Sequence, residues 1–358
     1  MINRIQIENF KSIKYMQMDL APINILIGAN GAGKSNFIGF FKLLKSIYDK
    51  RLGIYTANET GADNVLYFGS KISDCLTGRI EFDETNAYEF KLLRDQGDRF
   101  FFEYDSVYYH KRSYPEPYIE NIPSKGLNES NLREHTTDVA TYVRSYLESF
   151  KIFHFHDTSQ TAKIKSDSEI KDNSFLREDG GNLAAFLYLL QEKHPEAFKR
   201  IEMVVKSVAP YFEGFNLAPD RLNGDSIRLE WKEAGSDSYF NAKHLSDGTL
   251  RFMALATLLY QPNPPKVIII DEPELGLHPF AISKLAGMVK KASIKTQVIL
   301  STQSVNLIDH FEPEDIITVD RKDNQSVFKR QSSDELKNWL ENYTMSDLWN
   351  KNVIGGRP

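Results

Sequence analysis

Apolar and polar positions alternate from the first residues, Met1-Ile2-Asn3-Arg4-Ile5, and the pattern predicts short strands over 2–8 and 16–19. The apolar run Ile23 to Ile27, broken only by Asn24, marks a buried strand, and helical spacing follows over 37–47. Residues 56–64 are polar and include Gly61, which predicts a loop. From 78 to 110, short apolar and aromatic runs are split by Asp83-Glu84-Thr85-Asn86 and Asp95-Gln96-Gly97-Asp98, the signature of an antiparallel meander. Residues 111–150 are polar, carry Pro115 and Pro117, and end in a helical pattern over 136–150. A strand is predicted over 151–156, ending at Asp157-Thr158-Ser159, then helices over 183–190 and 197–208 and a strand over 226–231. A strong helix former, 250–259, stops before Pro262, Pro264 and Pro265, and a second apolar run follows at 267–270. No internal repeat is evident, and no heptad register lasts long enough for a coiled-coil arm.

Both apolar runs end in residues with chemistry. The first opens into Gly28-Ala29-Asn30-Gly31-Ala32-Gly33-Lys34-Ser35-Asn36. Glycines let backbone N–H groups curl around a phosphate, the next helix adds its N-terminal dipole, Lys34 reaches the outer phosphates, and the Ser35 hydroxyl can ligate Mg²⁺. The second run delivers Asp271-Glu272-Pro273-Glu274 at its carboxyl end. There Asp271 can hold the Mg²⁺ shell and Glu272 can orient and deprotonate a water.

A third element precedes the acids. Leu245-Ser246-Asp247-Gly248-Thr249 opens the 250–259 helix, and it has two readings: an ordinary N-cap, or a second anion site built from Ser246, the Gly248 amide and the helix dipole.

Composition narrows the class. The chain has 358 residues, 26% charged and 41% hydrophobic, as a water-soluble protein does. No apolar run reaches the roughly 18 residues of a membrane span, and Cys75 is the single cysteine, so neither an intrachain disulfide nor a cysteine metal cluster is available. The expectation is a cytoplasmic protein without a membrane partner. The net charge of −5 disfavours a broadly basic nucleic-acid face, though His110-Lys111-Arg112 or Lys284 with Lys290-Lys291 could form a local stripe.

Lys34-Ser35, Leu245 to Thr249, and Ile270-Asp271-Glu272-Pro273 with Gly276-Leu277-His278-Pro279 resemble the Walker A, signature and Walker B/D-loop motifs of ABC-type ATPase heads. The opening Ile7-Glu8-Asn9-Phe10-Lys11-Ser12 is similar to the RecF/SMC/OLD-like branch. Phe153 to Ser159, Asp179-Gly180-Gly181-Asn182, Ser301-Thr302-Gln303-Ser304 and the terminal Leu348-Trp349 to Gly355-Gly356-Arg357-Pro358 resemble one compact subgroup of OLD-like AAA-family ATPases. The resemblance implies one discontinuous α/β head with a mainly parallel sheet around the phosphate loop. Residues 1–110 would carry that loop and an antiparallel lobe, 111–240 a helical lid insert, and 241–358 the signature, Walker B and C-terminal half.

It further implies ATP and Mg²⁺ as cofactors and a homodimer sandwiching two ATP, with Ser246 and Gly248 acting in trans. Lys11 would lie near the base or phosphates, against the plainer reading of a solvated turn residue. Where many heads carry a switch histidine, Val298-Ile299-Leu300-Ser301-Thr302 leads to Gln303, which can contact a γ-phosphate or water but cannot shuttle a proton, so slow hydrolysis is expected. Gln303 is therefore a sensor or a polar strand end. His154, His156 and Asp157 admit a His-x-His-Asp metal site, a nucleotide-side strand end with Gln160 as a water or magnesium contact, or plain packing. His278 reads as an interface residue. The residues beyond Ser301 leave no room for a Toprim nuclease domain, so nuclease or toxin activity is expected from a separately encoded effector protein, as in prokaryotic defence. The alternative is a RecF-like, ATP-dependent nucleic-acid clamp in DNA repair.

Overall fold

In the computed structural model, which describes residues 1–111 and 113–356, the chain divides into two units: Met1–Phe150 with Glu312–Pro358, and Lys151–Phe311.

The first unit contains a six-stranded antiparallel sheet in the spatial order Ile13–Asp19, Ile2–Phe10, Cys75–Phe82, Asn86–Arg94, Phe100–Tyr109, Tyr118–Asn121. Residues alternate between buried and less buried positions along Cys75–Phe82, so one face is core, as the alternating sequence requires. The all-buried strand Ile23–Ile27 pairs in parallel with Ile316–Lys322, which pairs antiparallel with Gln325–Arg330. The helix Lys34–Tyr48 buries Phe37, Phe40 and Phe41 completely, worth about 2 kcal/mol each. Phe40 meets Phe10 edge-on at 5.6 Å and stacks on Phe90 at 6.2 Å. Gly78 makes room for these rings, since a Cβ there would lie 2.6 Å from both Phe40 and Phe90.

The second unit pairs Val267–Asp271 in parallel with Gln297–Thr302, placing Asp271 opposite Ser301. The helices Leu183–Lys193, Pro195–Val208, Asp247–Tyr260 and Pro279–Ala292 accompany these strands. Phe212–Phe215, Glu230–Glu233 and Tyr239–Asn241 form a small antiparallel sheet.

The meander and the long helices lie where the pattern predicts them. Three local expectations differ. The 56–64 loop begins inside a helix, Leu52–Asn58, and only then turns through Gly61, whose φ is 119°. The 226–231 strand is two: Ser226–Ile227 pairs with Ser168–Glu169, and Glu230–Glu233 joins the other small sheet. Arg228 sits at this break and holds Asp167 through two hydrogen bonds of 2.9 and 2.8 Å. The 151–156 strand ends at Phe153, because the carbonyls of Phe155 and His156 are taken by the Arg251 guanidinium and cannot join a ladder.

Candidate nucleotide site

The phosphate loop lies wholly in the first unit, between the strand Ile23–Ile27 and the helix starting at Lys34. Two of its glycines are dictated by close approach. A Cβ on Gly28 would lie 2.3 Å from the Val319 carbonyl oxygen, and one on Gly33, where φ is 120°, would lie 2.1 Å from Ser326 Oγ. Gly31, at φ 77°, has open space around it, and with Asn30 it forms the exposed tip.

A directed hydrogen-bond chain supports the loop from below. Ser326 Oγ donates to the Ala32 carbonyl at 2.5 Å, so Ser12 Oγ donates to Ser326 at 2.6 Å and accepts from Asn36 Nδ2 at 2.6 Å. Lys34 Nζ spans the loop, donating to the carbonyls of Gly28 (2.6 Å) and Ala29 (3.0 Å). Ser35 is exposed in the first helical turn. An exposed tip at Asn30 and Gly31, glycines at 28 and 33 that let the loop lie against Val319 and Ser326, and an adjacent Ser35 hydroxyl fit a nucleotide polyphosphate with Mg²⁺.

Lys11 sits at φ 50°, pairs with Glu59 at 2.9 Å and lies 5.7 Å from the Phe10 ring centroid. It is therefore a paired cation, beside a cavity of about 540 Å³ shared with Ser12, Phe68 and Arg321.

The acidic half lies in the second unit. Glu272 adopts φ 42°, a conformation costly for a non-glycine residue, and its N–H donates to the Ser301 carbonyl at 2.8 Å. This turn brings its carboxylate to Gln303, whose Nε2 donates to Glu272 Oε1 at 2.6 Å. Beneath it, Glu274 Oε1 accepts from Thr302 Oγ1 and from the Gln303 amide at 3.3 Å, while its buried Oε2 has no partner. Burial accordingly pushes the Glu274 carboxyl above the ordinary range. His156 Nε2 donates to the Asp271 carbonyl at 2.8 Å, which places the histidine segment against the acidic strand end. Among the described residues, no group of three or more His, Cys, Asp or Glu side chains is arranged to hold a metal, so His154, His156 and Asp157 are not a metal cluster.

Ser246 caps the helix Asp247–Tyr260, accepting from the Thr249 amide at 3.2 Å with Thr249 Oγ1 at 2.8 Å. Gly248 packs on the loop after the acids: a Cβ would lie 2.4 Å from the Gly276 carbonyl oxygen. Asp247 is held by Lys165, a cation only 4% exposed that also donates to the Thr158 carbonyl at 2.6 Å. The hydrogen bond from Lys165 Nζ to Asp247 Oδ1, at 3.1 Å, keeps the Asp247 carboxyl below its ordinary range. Arg251 ties three segments together, donating to the carbonyls of Phe155 (3.1 Å), His156 (2.7 Å) and Leu275 (3.0 Å).

Sequence reasoning missed Ser326, Lys165 and Arg251. Arg251 alone had a local signal, a cation one turn beyond Gly248. His278, expected at an interface, caps the helix Pro279–Ala292 through Nδ1. Of the candidate basic residues, Lys284 lies over the Phe280 ring at 5.2 Å and Lys290 over the Phe311 ring at 5.6 Å. Arg112, Arg357 and Pro358 lie outside the described residues, and Gly356 donates its amide to Asp320 at 2.8 Å.

A glycine cradle after a buried parallel strand, and an acidic strand end carrying Asp271 and Glu272, define an α/β ATPase head of the ABC/SMC/OLD-like type. The chain belongs to the family described as "AAA domain, putative AbiEii toxin, Type IV TA system", whose model matches residues 23–309. It is 21% identical to the Old nuclease of Escherichia phage P2, over 93% of this chain and 61% of that protein's length. Its fold is similar to a crystal structure of the SMC head bound to the C-winged helix domain of ScpA, with TM-score 0.64, 16% identity, and 94% of this chain and 99% of the other covered. A second SMC head, with an extended coiled coil and bound to the C-terminal domain of ScpA from Pyrococcus furiosus, matches with TM-score 0.59, 14% identity and coverage of 95% and 98%. Among the described residues, no helix is long and apolar enough to cross a membrane.

Proposed function

We propose that this chain is an ATP-hydrolysing switch that dimerises around ATP and controls a separately encoded effector protein. The observation that carries the reading is the Glu272–Gln303 pair, a carboxylate in a strained turn held at 2.6 Å by a carboxamide. A hydrogen bond to Oε1 leaves Oε2 to accept a proton from water, and the Gln303 carbonyl oxygen remains to orient that water.

In this reading the amides of residues 28–35 and Lys34 cradle the phosphates. Ser35 and Asp271 would be the residues to hold Mg²⁺, which when bound would offset negative charge on the phosphate oxygens. Glu272 takes the proton of the attacking water. Gln303 lacks histidine's titration, so turnover is slow. Ser246 and Gly248 serve the nucleotide of a second copy, and Leu275 to Pro279 connect the two sites.

The toxin–antitoxin description of the family and the likeness to Old nuclease support an effector of nuclease or toxin type and a role in defence. The SMC heads bound to ScpA support a protein partner.

The test is size-exclusion chromatography of Glu272→Gln with and without ATP and Mg²⁺. An ATP-dependent dimer supports the switch. A monomer at saturating ATP overturns it, and a dimer that forms only with duplex DNA favours the RecF-like clamp.

A further inference from the structure

The second unit carries a cavity of about 560 Å³ that the nucleotide chemistry does not use. It lies at the C-terminal end of the signature helix, whose last residue, Tyr260, lines it. Its floor is apolar: Leu259, Pro262 and Pro264 join Tyr260, and Ile294 stands on the lip 82% exposed. Lys193 at the end of the helix Leu183–Lys193, Arg200 within Pro195–Val208, and Lys291 and Lys295 at and just beyond the end of Pro279–Ala292 line the cavity, and all four are exposed. Glu196 is the one acidic residue of the lining. Among the described residues none of the four cations is paired with a carboxylate; Arg200 lies over the Tyr260 ring at 5.9 Å. This concentration of unpaired positive charge stands on a chain of net charge −5.

We infer that this cavity docks an acidic segment of a partner protein, anchored by an apolar side chain on the floor and flanked by carboxylates on the rim. An apolar centre ringed by exposed charge is the anatomy of a protein interface. A small-molecule site buries its polar groups around the ligand, whereas here the cations are exposed on the rim. A phosphate backbone requires charge but no apolar floor. The inference rests on the effector reading above and places the effector's contact at the far end of the helix that Ser246 caps, about 20 Å along its axis.

The test is a display library of random peptides, about twelve residues long, selected on the full chain and counted on two variants, Lys193→Glu/Lys291→Glu and Ile294→Asp. Unchanged thermal unfolding shows that these surface variants are folded. The expected winners combine Asp or Glu with Leu, Phe or Trp. By fluorescence anisotropy they bind the double variant at least about tenfold more weakly, bind Ile294→Asp more weakly too, and lose affinity as salt rises. Winners without acidic residues, or winners that bind both variants as tightly as the parent, overturn the inference. So does a labelled DNA or RNA duplex that binds the cavity with the same variant pattern while no peptide does. The same peptides added to the ATPase assay separate the two proposals. Charge-dependent binding without any change in turnover keeps the docking site and removes its coupling to ATP.

Discussion

Gln303 Nε2 donates to Glu272 Oε1 at 2.6 Å, so the residue that stands where many related heads carry a histidine is bonded to the carboxylate that would activate water. A histidine there could move a proton; a carboxamide can only hold and orient. In the proposed mechanism, position and proton transfer would be divided between these two side chains.

Lys34→Ala and Glu272→Gln should separate along that division. Loss of the Lys34 ammonium would remove the charge proposed to reach the phosphates, and nucleotide binding should fall below detection in a fluorescent-ATP titration. Glu272→Gln keeps size and hydrogen bonding but removes the base, so ATP should bind normally while turnover falls about 10²-fold or more. Equal loss of ATP binding in both variants would show that the roles are misassigned.

Gln303→Ala should leave ATP affinity within about twofold and lower kcat about tenfold, because the lost contact belongs to the orientation of Glu272 and its water. Steady-state kinetics read both quantities. Wild-type turnover in this variant would remove Gln303 from the chemistry.

Composite sites predict complementation. Ser246 has its hydroxyl on the Thr249 amide, and the proposed anion for this helix end comes from a second copy. Mixing Ser246→Arg with Lys34→Ala, each inactive alone, should restore part of the hydrolysis, because each mixed dimer keeps one intact site. Demonstrated mixed dimers with no recovered activity would contradict action in trans.

Glu274 should make stability fall with pH. Its folded pKa is raised by burial, so the unfolded chain releases this proton first as pH climbs out of the ordinary carboxylate range. Stability attributable to this group is intact below that range and declines up to the raised value. Glu274→Gln keeps an acceptor for Thr302 and removes the buried charge. Its melting temperature, relative to wild type without nucleotide, should be higher at pH 8 than at pH 4 by about 2 °C or more. A difference that is constant across pH would show that the carboxyl is not the cause.

The sequence by itself determined the elements whose information is local. Ile23, Ile25, Leu26 and Ile27 followed by glycines, and Val267 to Ile270 followed by two acids, identify buried parallel strands, because a strand covered on both faces is predominantly apolar. The candidate residues Lys34, Ser35, Asp271 and Glu272 were legible for the same reason. What supports them was decided only by tertiary structure. Ser12 and Ser326 are 314 positions apart, and no periodicity connects them, yet their hydroxyls hold the floor of the phosphate loop. Lys165 meets Asp247, and Arg251 gathers the carbonyls of Phe155, His156 and Leu275, through chain paths that propensity does not record. The split of 226–231 into two strands has the same origin: β pairing is a contest among distant partners, and burial and hydrogen bonding across the fold decide it.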